Sequence, residues 1–256
     1  MRKIFILAKT SLQEMLREKL FLIIVFVGLI LIGITMILGQ LTFAEQSKIL
    51  ADFGFMSIQL STLAISLFYG SYMMAKEVEK QTCLLMLSRP ISRTQFMLGK
   101  FFGVMALNTL LIFSLCLLLQ FLLGVWSSPQ QTLNSFIIVI QLWFESTIIL
   151  ALALAASFVV RPVLALMTAL VIFLCGHWLG DLQYFAEKSK DPFYLKVVDI
   201  AQWTMPNLNK MNWKSYFFLE KGFTSDQLIW MVAHSLGWIL FYILLARFLF
   251  RRKDIV

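Results

Sequence analysis

Residues 101–144 contain no charged side chain, a run of 44 positions. About 20 residues of helix cross a hydrocarbon layer, so this run is too long for one crossing and long enough for two. The stretch Gly-Val-Trp-Ser-Ser-Pro at residues 124–129 stops helices and divides the run. The prediction is a span at 101–124 and another at 133–159. Residues 20–44 form a second uncharged run, predicting a span at 20–40. Further spans are expected at 53–75, at 162–180 after the tight turn Arg161-Pro162, and at 227–247. The expected fold is an all-α integral membrane protein with six transmembrane helices in one domain, 1–256. The chain is 60% hydrophobic and 14% charged, more apolar surface than a soluble domain of this size hides.

Orientation follows from the basic residues. The net charge is +8, but Lys and Arg collect at the ends of apolar runs, which argues for membrane orientation rather than nucleic acid. The N-terminal arm, the loop 76–100, the Arg161 turn and the C-terminal tail carry 5, 5, 1 and 4 of them, 15 together. The three opposite connections carry 1, 0 and 6, or 7. Both termini and the 76–100 loop are therefore expected in the cytoplasm of a bacterial inner membrane. The apolar run after the first basic residues ends at Lys9, too short for a cleaved leader. Cys83, Cys116 and Cys175 show no paired spacing and predict no disulfide.

Three segments have character of their own. In 2–18, Ile4, Ala8, Leu12 and Met15 recur at helical spacing opposite Arg2, Lys9, Gln13 and Arg17, predicting a helix lying in the membrane interface. Span 53–75 is rich in small residues, with Ser57/Ser61 and Ser66/Gly70 at the spacing that lets helix backbones approach. Residues 181–226 form a long hydrophilic connection. Within it Asp191-Pro192 reads as a helix start, Phe193, Val197 and Ile200 mark an amphipathic helix, and Pro206 follows its end. Thr224 and Gln227 have the spacing of a capping box that opens the last span.

The loop 76–100 is unusually specific. It reads Glu77-x-Glu79-x-x-Thr82, then Leu-Ser-Arg89-Pro90-x-Ser-Arg93, then Leu-Gly-Lys. This resembles the first cytoplasmic loop of ABC-2 type permeases, in particular the branch associated with maturation of a multicopper enzyme, nitrous oxide reductase. Thr10, Glu14 and Arg17 resemble the pattern of that family's elbow helix, and six spans with both termini inside match its layout. Residues 181–226 match only loosely, through Met-Pro-Asn-Leu at 205–208. The resemblance implies a coupling helix at 77–93 that rests on a separate cytoplasmic ATPase subunit, which binds ATP and Mg. It also implies a second permease copy or a related permease, with spans one, two and five moving at the seam.

The residues themselves agree with a docking role. Pro90 forces Arg89 out of the helical region, giving a break between two helical pieces. Arg89 and Arg93 suit acids on a partner, Glu77 and Glu79 suit its bases, and Thr82 suits a cap. The chain has no G-x-x-x-x-G-K-[ST] phosphate loop: its one Gly-Lys pair, Gly99-Lys100, is followed by Phe101. It is therefore expected to be a non-enzymatic subunit without a cofactor of its own.

Glu145 is the one acid inside an expected span, where an ionisable group costs about 2.5–3.5 kcal/mol at mid-bilayer. Gln141 lies one turn away on the same face, and Gln59 is the most polar residue of span two. These three are candidates for a translocation path or a subunit interface; helix packing is the alternative. His177, with Cys175 and Asp181 nearby, and His234 have ligand chemistry but match no metal motif, so no metal site is assigned.

Three functions are weighed. The first is the membrane subunit of an ABC-2 exporter, with the substrate open among lipids, glycans, peptides and a sulfur species. The second is a permease-like subunit that transmits ATP-driven motion to an extracytoplasmic partner. The third, an intramembrane metalloenzyme, needs Glu145, His177 and His234 to converge, and their expected depths differ too much.

Overall fold

The computed structural model describes residues 2–40, 46–79, 91–124, 129–189, 191–218 and 223–252. Among these the regular structure is all helix and there is no strand. The order is α1 (Arg2–Leu16), α2 (Lys19–Gln40), α3 (Gln46–Glu79), α4 (Arg93–Leu123), α5 (Pro129–Ser157), α6 (Pro162–Ser189), α7 (Pro192–Thr204), two short 3₁₀ turns (Asn209–Met211 and Lys214–Phe218) and α8 (Ser225–Arg252). Six of these, α2 to α6 and α8, are long and apolar enough to cross a membrane. Alternating directions place α1, the end of α3, the start of α4 and the end of α8 on one side, the terminal face. The α6–α7 connection and the 3₁₀ turns lie on the other, the far face.

Helices α3 and α5 form the buried centre, while α2, α6 and α8 expose most of their apolar surface. The small residues of α3 explain its position. A Cβ on Gly70 would lie 2.8 Å from the Ala153 Cβ of α5, and one on Gly28 of α2 would lie 2.7 Å from the Ser61 hydroxyl. Each glycine thus lets a neighbouring backbone come close, as the small-residue spacing predicts. Asn108 of α4 closes the same junction, donating to Ser66 and Ser146, each at 3.0 Å.

Several boundaries differ from the sequence reading. The helix of span three starts at Arg93 rather than 101, because Ser92 caps it: its hydroxyl accepts from the Gln95 backbone, and Gln95 accepts from the Ser92 backbone. This box is stronger than propensity and extends the helix two turns. Span two continues to Glu79, so the 76–100 segment is helix at both ends. Span five runs on to Ser189, where Gln202 of α7 donates to Gln183 at 2.7 Å. Helix α7 begins as predicted, with the Asp191 carboxylate accepting from the Phe193 backbone at 2.9 Å. The Thr224–Gln227 box shows its reciprocal half, the Gln227 carbonyl accepting from the Thr224 backbone at 3.1 Å.

Helix α1 packs along α4 by a different stripe from the expected one. Its buried line is Leu7, Ser11 and Met15, whereas Ile4, Ala8 and Leu12 are partly exposed. The reason is on α4: Gly99 and Gly103 form a groove that Leu7 and Ser11 fill.

Candidate functional site

Two polar clusters stand out against the apolar bundle. The first lies at the terminal face. Lys100, only 5% exposed, follows Gly99 on α4 and points into the space where α1 and α3 meet. Its ammonium lies 2.8 Å from a Glu77 carboxylate oxygen and 3.2 Å from Glu14. One buried cation therefore ties the end of α3, the start of α4 and the elbow helix α1. A second tie joins Lys76 of α3 to Glu18, at the corner between α1 and α2, at 2.9 Å. That hydrogen bond raises the Lys76 pKa above its ordinary value.

The expected docking residues divide here. Glu77 has an intramolecular partner in Lys100. Arg93 sits in the first turn of α4, and its guanidinium donates to the Phe250 carbonyl of α8 at 3.4 Å. The side chain of Glu79, and Thr82, Arg89 and Pro90 altogether, lie outside the described residues. Of the elbow residues, Glu14 binds Lys100, the Thr10 hydroxyl donates to its own helix at Ile6 and Leu7, and Arg17 is exposed. Sequence reasoning passed over Lys100; its position beside Gly99 was the available signal.

The second cluster is inside the bundle. Glu145 of α5 is 2% exposed. One carboxylate oxygen accepts from the Gln59 amide of α3 at 2.6 Å and lies 3.0 Å from Nε2 of His177 on α6. The other accepts from Gln141, one turn away on α5, at 2.7 Å. The tautomer of His177 with its proton on Nε2 satisfies this carboxylate. So the structure brings Gln59 of α3 to Gln141 and Glu145, which the sequence puts on one face of span four, and adds His177. The expectation that Glu145 and His177 differ too much in depth is corrected: α5 and α6 run antiparallel from the turn at 158–161, so residues at similar distances from that turn, 32 positions apart, meet. His234 does not join them; its ring stacks on Trp230, with centroids 4.6 Å apart. Among the described residues no three His, Cys, Asp or Glu side chains are grouped to hold a metal ion. Three neutral or tautomeric donors around one carboxylate can hold its negative charge in a low-dielectric setting, at the cost of desolvation they offset.

The far face reaches into this cluster. Lys214, in the second 3₁₀ turn, donates to the Gln59 carbonyl oxygen. Burial lowers the Lys214 pKa from its ordinary value, and the charges of Glu145 and Asp52 pull it back part of the way. The turns themselves are seated on α6. The Leu208 backbone donates to the Gly176 carbonyl at 3.1 Å, and the Asn209 amide to the His177 carbonyl at 2.7 Å. A Cβ on Gly176 would lie 2.7 Å from the Pro206 carbonyl, so glycine is needed for the approach. Nothing in the sequence pairs Lys214 with Gln59, which are 155 positions apart.

A family model described as ABC-2 family transporter protein matches residues 9–179. The chain belongs to this family. The match runs from α1 to the outer part of α6, so it includes the Lys100 cluster and the Gln59, Gln141, Glu145 and His177 set, and ends before the 3₁₀ turns. No curated protein matches the chain. As an ABC-2 family member it is a permease subunit of an ABC transporter, a membrane component rather than the catalytic chain, and such permeases usually work with a cytoplasmic ATPase subunit.

Proposed function

We propose that this ABC-2 permease couples ATP hydrolysis by a separate ATPase subunit to export of a substrate across the bacterial inner membrane. The reading places the terminal face in the cytoplasm and the ATPase against residues 77–93, with ATP and Mg held by that partner. Two copies, or one copy and a related permease, complete the translocator. The observation that carries it is the Lys100 junction. Residues 80–92 connect α3 to α4, and Glu77 and Lys100 bind those two helices to each other and to Glu14 of the elbow. A push on the connection therefore moves three elements together. Two discrete packed arrangements, rather than continuous bending, are how such a push is transmitted.

The test is ATPase co-purification with an Arg89→Glu/Arg93→Glu double variant. Loss of the ATPase is expected, since a docking surface of basic residues is inverted in sign. Retention of the ATPase at parent levels would remove the docking assignment.

A second reading has one observation in its favour. Helix α7 exposes Phe193, Val197, Ile200 and Trp203 on the far face, an apolar row outside the family match. Under that reading the chain transmits motion to an extracytoplasmic partner, such as a multicopper enzyme under maturation, with nothing crossing. Transport of substrate in vesicles containing only permease and ATPase counts against it.

A further inference from the structure

Residues 205–218 lie across the far end of the bundle. Leu208, Met211, Trp213 and Phe217 are all buried there. The Phe217 ring packs edge-on against Phe55 of α3, with centroids 5.6 Å apart, and its carbonyl accepts from Asn134 of α5 at 3.5 Å. Met211 meets Ser235 of α8. One short segment thus touches α3, α5, α6 and α8. The segment reaches the Glu145 cluster through Lys214, which donates to Gln59.

We propose that residues 205–218 are a strap over the far mouth, and that Lys214 is a conditional latch, seated only while Gln59 and Glu145 stand beneath it. An ammonium leaves water at a cost, which is offset here by the Gln59 carbonyl and by the carboxylates of Glu145 and Asp52. Lys48, on the same helix, acts on Asp52, and His177 lies against Gln59 and Glu145. Burial outweighs this offset and lowers the Lys214 pKa. Removing the acceptors releases Lys214 to water and the strap with it.

The same helix carries both ends of the device. Helix α3 is one unbroken helix of 34 residues, roughly 50 Å long. It bears Gln59 under the strap and Glu77 at the Lys100 junction. Displacement of α3 at the terminal face withdraws Gln59 from Lys214. This goes beyond the ATPase-docking proposal and is tested on the permease alone, so the two fail separately.

The experiment uses the full chain in lipid vesicles, with its native cysteines replaced and a single reporter, Met211→Cys, at a buried strap position. A membrane-impermeant maleimide is added from the far side. Labelling is expected to be slow in the parent and to rise about tenfold or more with Glu145→Gln or with Gln59→Leu, since each removes a charge or hydrogen bond that offsets a buried cation. Adding Lys214→Met to either variant is expected to return labelling to near the parent rate, because no buried cation remains to be released. A second reporter, Leu107→Cys in the buried face of α4, is expected to stay protected throughout. The proposal is overturned by unchanged labelling in Glu145→Gln, by labelling that stays high after Lys214→Met, or by an equal rise at both reporters.

Discussion

Lys100 shows how much one side chain decides here. It is almost fully buried, yet it stands at the terminal face with two carboxylates on two other helices. A buried pair is weak evidence of net stabilisation, but breaking it by removing one partner leaves the other charge uncompensated. Lys100→Met is therefore expected to lower unfolding stability by about 3 kcal/mol, measured by denaturation in detergent. The loss falls mainly on Glu77, which is far less exposed than Glu14. Lys100→Met/Glu77→Gln should recover more than half of it. Strictly additive effects of the two single changes would show that the residues do not interact. Glu145 has the same character deeper in the bundle, with amides and an imidazole as its hydrogen-bond partners.

At the scale of elements, the elbow helix is positioned by absence. Gly99 and Gly103 leave a groove on α4, and α1 lies in it with Leu7 and Ser11 facing down. A Cβ at Gly99 would come within 2.5 Å of the Leu7 Cβ, and one at Gly103 within 2.8 Å of the Ser11 Cβ. Neither neighbour is the far end of a flexible side chain. Gly103→Leu is expected to cost about 1–3 kcal/mol by overpacking and to lift α1 from α4. A cysteine at Ser11, now buried, should then become reactive to maleimide. If it stays protected, α1 is held by the ion pairs of Glu14 and Glu18 and not by the groove. The amphipathic pattern of α1 was visible in its residues, but which apolar flank faces protein was not. Phe5 and Ile6 are exposed, while Ser11, a polar residue, is buried; the glycines of another helix made that choice.

For the whole molecule, the bundle has a terminal face with ion-paired helix ends and a far face closed by the strap. The excess of Lys and Arg near the terminal face sets the expected orientation. Cysteines introduced at Lys190 and at Asp254 test it in intact cells with a membrane-impermeant maleimide. Lys190→Cys should label directly, and Asp254→Cys only after the membrane is opened. The reverse pattern would turn the permease over and place the strap, not the 80–92 connection, on the ATPase side.

The six spans, their order and the same-sided termini were legible in the chain alone. A bilayer imposes its demand locally: about 20 apolar residues per crossing and basic residues at one side's ends, both read from consecutive positions. The cap of α7 belongs to the same category, since Asp191–Phe193 acts over two residues, whereas the Ser92–Gln95 box of α4 lies outside the uncharged run that marks span three. The partners of the polar residues were not legible. Gln59 and Glu145 are 86 positions apart, and Lys214 and Gln59 are 155. Such pairs form because packing of α3 against α5 and α6 brings together groups that each had to find some partner in a medium without water. The sequence announces the need; only the tertiary structure decides who meets it.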